Sequence, residues 1–256
     1  MTILVWAGLA ATTFAAALLQ AAGGFGFAVV ATPLYLMLVA PQAAIPLVVI
    51  IAAALTAAVL PGLRRAVAPG LLLRLALGSL IGLPPGLAAF HYSNATVVRV
   101  VAGTTVLGFA ALLVWLRRRN RGERAARLAM SRNRDLAAGA VSGVVTALAG
   151  MAGPPVLIYL MLAGTASQTI RATLLAFFAL VYAATLAANA ATIGIPTQSW
   201  VAAGVLLPFA FVGGLVGRPL GDRLGAEGFA RLAIGLLALA GLLTLAMATG
   251  LAGGVH

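Results

Sequence analysis

The sequence contains no cysteine and no lysine, and only four acidic residues: Glu123, Asp135, Asp222 and Glu227. The missing cysteine excludes disulfides, thiol redox chemistry and Cys-ligated metals. The two histidines, His91 and His256, are far apart, and no two carboxylates share an apolar run. No metal, catalytic dyad or cofactor is therefore expected, and an intramembrane enzyme is disfavoured. The four acids fall in polar stretches or at the ends of apolar runs. Proton relays and Na⁺ sites in transporters rest on intramembrane ionisable groups, so a cation carrier is disfavoured too. Charged residues make up only 8% of the chain, against about 25% in soluble domains, which leaves too little to build a water-facing surface.

What remains is 63% hydrophobic, with a mean hydropathy of +1.13. Apolar runs long enough to cross a hydrocarbon core of about 30 Å recur along the chain. Ten can be marked, at 3–22, 27–40, 43–60, 71–90, 97–116, 136–150, 154–164, 171–190, 199–217 and 231–250. The first lacks a basic leader and is longer than a signal-peptide core, so it reads as a retained segment. The fold class is thus all-α, a polytopic membrane protein whose partner is the lipid bilayer. The net charge of +12 comes entirely from arginine. These arginines sit mainly between apolar runs, as the positive-inside rule expects, and do not point to nucleic acid.

The one long polar stretch, RRRNRGERAARLAMSRNR at 117–134, divides the chain into a first transmembrane repeat (1–116), an Arg-rich cytoplasmic connector (117–134) and a second repeat (135–256). Shifting by 126 places Gly24 on Gly150 and Gln42 on Gln168. Near the ends a shift of 132 places Arg99 on Arg231 and Gly103 on Gly235. Internal repeats of this kind are a transporter signature. If the opening run of each half crosses an even number of times, or re-enters, the halves are inverted. Fifteen arginines then lie inside and only Arg99 outside. If that run crosses once, the halves are parallel and the split is eleven to five. The positive-inside rule favours two inverted repeats of about five segments each. On that topology 64–65, 117–134 and a loop at 218–230 share the cytoplasmic side.

Each half opens on a run broken by Gly or Pro: Gln20-Ala-Ala-Gly-Gly-Phe-Gly-Phe in the first, Gly150-Met-Ala-Gly-Pro-Pro in the second. Glycine reaches backbone angles that other residues avoid, and Pro154 and Pro155 suit a helix start but cannot continue a helix. Irregular backbone at membrane depth survives only where protein buries it or a cavity hydrates it. The helix that follows each break offers free N–H groups and a positive dipole end, which favours an anion; inversion would bring the two breaks together near the midplane. The same residues also suit close helix packing.

The stretches GFGFAVVATPLYLML at 24–38, GLPPG at 82–86 and GMAGPPVLIYL at 150–160, leading to Arg171-Ala-Thr, resemble the TauE/SafE family of sulfite and organosulfonate exporters. Phe25 and Ala152 interrupt the triple-glycine form of the motif. The resemblance spans nearly the whole chain and implies export of a small anion, sulfite or an organosulfonate, across the inner (plasma) membrane. A non-sulfur anion such as a carboxylate, or a non-transporting scaffold role, is the alternative.

The candidate substrate-binding residues are Gln20, Gly24, Phe25, Gly26, Thr32 and Tyr35 in the first opening run, and Thr146, Gly150, Met151, Gly153, Pro154, Pro155 and Tyr159 in the second. Ser142 is a further polar candidate and Asn189 a weaker one. Arg171 opens a span, where it either holds the anion or snorkels to the interface. Arg74 is expected to snorkel, and His91 to be solvated in a short loop. Trp6, Trp115 and Trp200 lie near segment ends, where interfacial anchoring is the default. Small-xxx-small spacings suit tight packing within one chain or between the copies of a homodimer.

Overall fold

A computed structural model describes residues 2–23, 26–119, 129–165, 167–192 and 194–249, without the side chains of 22–23, 63–65, 116–119, 167, 218 and 220–233. Gly24, Phe25 and most of the Arg-rich connector lie outside the described residues. Everything regular within them is helical: α1 (Ile3–Gly23), α2 (Phe27–Leu38), α3 (Pro41–Val59), α4 (Pro69–Tyr92), α5 (Ala95–Arg119), α6 (Arg132–Ala149), α7 (Gly153–Leu162), α8 (Ser167–Thr192) and α9 (Thr197–Ala248), with a 3₁₀ segment at Leu60–Ala66. Six of the described helical stretches are long and apolar enough to cross a membrane. The chain is a multi-pass membrane protein. Helices α2 and α7, at about 1.5 Å per residue, are too short for a full crossing.

The sequence signals explain the starts. Pro41 and Pro69 occupy the first turns of α3 and α4, where a missing N–H costs nothing. The Ser131 side chain caps α6 by accepting from the Arg134 N–H. Two helices of the second half begin where a shift of 126 predicts: Phe27 maps to Gly153 and Pro41 to Ser167.

Two glycine-lined seams hold the bundle. On α4, a Cβ at Gly78 or Gly82 would overlap the Leu136 or Ala140 carbonyl of α6, and one at Gly86 would meet Val144 and Ala147. In return, Gly139 and Gly143 of α6 sit on the Leu75 and Ser79 carbonyls. The register rises together on both helices, so they run parallel. In the second seam, Gly213 and Gly217 of α9 sit on the Phe14 and Leu18 carbonyls of α1. A shift of 131 takes Gly82 and Gly86 to Gly213 and Gly217, and one of 126 takes Phe14 and Leu18 to Ala140 and Val144. Both seams are thus the same contact, made once with a helix from each half. Lipid tails give no hydrophobic drive between helices, so this backbone proximity supplies the packing that associates them.

The expected loop at 218–230 is absent. The backbone is helical throughout Thr197–Ala248, because Leu, Ala, Arg and Glu in that stretch are good helix formers and outweigh its polarity. The helix nevertheless turns back. Gly217 lies by Leu18, two residues from Gln20, whereas Gly241 lies by Gly103, close to Arg99, whose Nε donates to the Leu36 carbonyl at 3.4 Å. Those two places are at opposite ends of the bundle. Pro219, Gly221 and Gly225 lie between them, residue types that bend helices. One end, here the Arg171 face, carries the starts of α4, α6 and α8; the Ala68 N–H donates there to Thr173 Oγ1. The other, the Arg99 face, carries the starts of α3, α5 and α9.

Candidate functional site

Around the first break, Gly26 precedes α2 with φ +118°, a left-handed value that glycine adopts without penalty. The first N–H of α2, that of Phe27, donates to Gln20 Oε1 at 3.2 Å. Gln20 therefore reaches across the break and caps the following helix, leaving its amide N–H₂ free of protein acceptors among the described residues. At the second break, Gly150 ends α6 with φ +68°, its N–H donating to the Thr146 carbonyl at 2.7 Å. Ser142 Oγ donates to the Ala152 carbonyl at 2.5 Å, tying the turn back to α6.

The two helix starts are not equivalent as anion sites. Pro154 and Pro155 occupy the first turn of α7, which removes two of the four N–H groups that a helix start presents. Helix α2 keeps its own. Gly150 lies against Ile45, Val48 and Val49 of α3, whereas Gln20 and Ala21 share a cavity with Leu55, Ala58 and Val59. Ten residues of helix separate those stretches, roughly 15 Å. Gly150 and Gln20 thus lie beside different stretches of α3.

That cavity, of about 220 Å³, is walled by α1, α3, α8 and α9 on the Arg171 face. Gln20 comes from the first half. Arg171, on the second turn of α8, comes from the second; among the described residues it has no carboxylate partner. Ala17, Leu175, Phe211 and Leu215 supply apolar walls. A guanidinium with five donors and a primary amide with two, facing one cavity, can cradle an oxyanion. The apolar wall strengthens those interactions by excluding water.

Most other candidates fall elsewhere. Thr32, Tyr35, Thr146 and Met151 are wholly buried. Thr32 Oγ1 has no partner among the described residues, and Thr146 Oγ1 donates to the Ser142 carbonyl at 2.6 Å. Tyr35 and Tyr159 are clips. The Tyr35 hydroxyl and Thr13 Oγ1 lie 2.5 Å apart, tying α2 to α1, and the Tyr159 hydroxyl donates to Asp135 Oδ1 at 2.5 Å, tying α7 to α6. Gly153 is the first residue of α7, in contact range of the Phe178 ring. Asn189 donates to the Thr185 carbonyl and, with Gln42, lines a separate cavity on the Arg99 face.

Two expectations are corrected. Asp135 lies at a helix end, yet it is wholly buried, and Arg74 pairs with it through Nε at 2.5 Å rather than snorkelling. The partners are far apart in sequence, so no local signal announces the pair. His91 ends α4, edge-on to the Tyr92 ring at 5.1 Å. The wall residues Leu55, Leu175 and Phe211 escaped sequence reasoning, since an apolar residue lining a cavity carries the same signal as one packed in a core.

No curated protein and no solved structure gives a significant match to the chain. The family model described as sulfite exporter TauE/SafE matches residues 9–244, nearly the whole length. Its members are membrane transporters and not enzymes. The chain, with its broken opening helices in both halves, belongs to the TauE/SafE sulfite exporter family.

Proposed function

We propose that the chain exports a small anion, sulfite or an organosulfonate, across the inner (plasma) membrane by alternating access between inverted halves, 1–116 and 135–256. The observation that carries this reading is the convergence of Arg171 and Gln20, one from each half, on one cavity. The Arg171 guanidinium supplies the counter-charge. The Gln20 amide donates to a second oxygen while its own oxygen stays engaged with the Phe27 N–H, which fixes its orientation. The two matching glycine seams and the fifteen-to-one distribution of arginines support inversion, and the same distribution makes the Arg171 face cytoplasmic. The cavity then opens on the side from which an exporter loads. In this reading Gln20 and Arg171 hold the anion, and the Phe27 N–H at the start of α2 orients Gln20.

The test is flux of a panel of sulfite, organosulfonates and carboxylates in proteoliposomes, comparing the native protein with Arg171→Gln and Gln20→Ala. Arg171→Gln should lower flux of the preferred anion at least tenfold with normal insertion, and Gln20→Ala several-fold. Native flux in Arg171→Gln would remove the anion from this cavity.

A further inference from the structure

A second cavity, of about 550 Å³, lies between α4 and α8 and opens toward the Arg99 face beside His91 and Tyr92. Its position is related to the first. The shift of 131 fixed by the glycine seams takes Leu80, Leu83 and Pro84, which line it, onto Phe211, Gly214 and Leu215, which line the Gln20–Arg171 cavity. The shift of 126 takes Ala58 of the first cavity onto Ala184 of the second. Every α9 residue lining one cavity thus has its α4 counterpart lining the other. The shift was set by backbone contacts elsewhere on those helices and owes nothing to the cavities.

The correspondence covers the α9 wall and Ala58, four of the eleven residues lining the first cavity; Gln20, Ala21 and Arg171 are among those whose counterparts do not line the second. Gln20 and Ala21 face the first cavity, but their counterparts Thr146 and Ala147 are sealed from the second. Where α9 has Gly214, α4 has Leu83. The Leu83 and Leu87 side chains, which line the cavity, pack with Ala147, the residue after Thr146, into a small cluster separate from the main core. Next to it, Ser79 Oγ is buried at the α4–α6 seam with no partner among the described residues, a cost that hydration would relieve.

We propose that the α4–α8 cavity is the second port of the same anion path, held shut in this state by Leu83, Leu87 and Ala147. It rests on the export reading above. When the port opens, Leu83 and Leu87 leave Ala147, and Thr146 takes the position toward the Arg99 face that Gln20 holds toward the Arg171 face. The anion leaves past Thr146, His91 and Tyr92. The two ports, one open and one plugged, are the two ends of one alternating path.

The chain has no native cysteine, so single cysteines report accessibility directly. The probe is sulfonatoethyl methanethiosulfonate, itself a small anion, applied to vesicles of each orientation. Ala21→Cys should react from the Arg171 side. Thr146→Cys should react slowly from the His91 side, and at least tenfold faster when combined with Leu83→Ala. As a second variant, Ala184→Trp should narrow the port and lower flux at least tenfold while Ala21→Cys labelling is unchanged, which shows a folded protein. Thr146→Cys that stays unreactive from the His91 side in Leu83→Ala, or native flux through Ala184→Trp, would overturn the second port and leave the first cavity standing. Ala21→Cys unreactive from the Arg171 side would overturn the export reading, and this proposal with it.

Discussion

Arg74 and Asp135 allow an asymmetric prediction. Asp135 is wholly buried and accepts from Arg74 Nε and from the Tyr159 hydroxyl, each at 2.5 Å. The Arg74 side chain is 39% exposed, so the guanidinium keeps part of its hydration. The partners differ in what their loss leaves behind. Arg74→Gln strands a buried carboxylate with only the Tyr159 hydroxyl for company, a loss worth about 3–5 kcal/mol for buried pairs. Asp135→Asn is isosteric and leaves behind a cation that turns to water. It forfeits two charge-assisted hydrogen bonds, discounted for the exposure of Arg74, so the cost is about 1–2 kcal/mol. In the double variant no charge is stranded, and its cost should fall below that of Arg74→Gln alone. Equilibrium unfolding in mixed micelles measures all three, and the double-mutant cycle isolates the coupling. Additive costs, or Asp135→Asn as damaging as Arg74→Gln, would refute the reasoning.

Other predictions rest on backbone geometry. Gly139→Ala and Gly82→Ala drive a methyl into a backbone carbonyl of the facing helix and should abolish folded protein, whereas Gly204→Ala, with open space around it, should be neutral or slightly stabilising, as measured by yield of monodisperse protein. Gly26→Ala meets no neighbour but must hold φ +118°. It should cost about 1–3 kcal/mol of backbone strain and lower flux while the protein still inserts; flux equal to native would show that the break tolerates any residue.

Much of this fold was legible in the sequence because hydropathy and punctuation report on single elements. The runs at 3–22 and 43–60 became α1 and α3 with ends shifted by a residue or two, and Gly150 and Pro154 marked the second break. The shift of 126 that pairs Gly24 and Gln42 with Gly150 and Gln168 also places two helix starts, those of α7 and α8, where the structure has them. What escaped was long-range. Polarity at 218–230 read as a loop, but polarity does not forbid a helix, and α9 runs through it. Asp135 read only as an acid at a helix end; its burial depends on Arg74 of α4 and Tyr159 of α7, far away in sequence. In the site, the glycines and Arg171 stood out by type. Thr146 and Tyr35 stood out equally, yet Thr146 bonds the backbone of its own helix, as hydroxyls do whenever it is within reach, and Tyr35 ties α2 to α1.

The central claim is that a small anion crosses through this protein and carries its charge. One elementary charge moving across 100 mV is worth about 2.3 kcal/mol, equivalent to roughly 50-fold in concentration, so an inside-negative potential drives export without a proton partner. The direct measurement is anion flux in proteoliposomes, with the potential set by K⁺ and valinomycin and equal pH on both sides. Flux should follow the sign of the potential and reverse with it. Flux that ignores the potential and tracks a pH step, or no flux of any anion in the panel, would contradict the account.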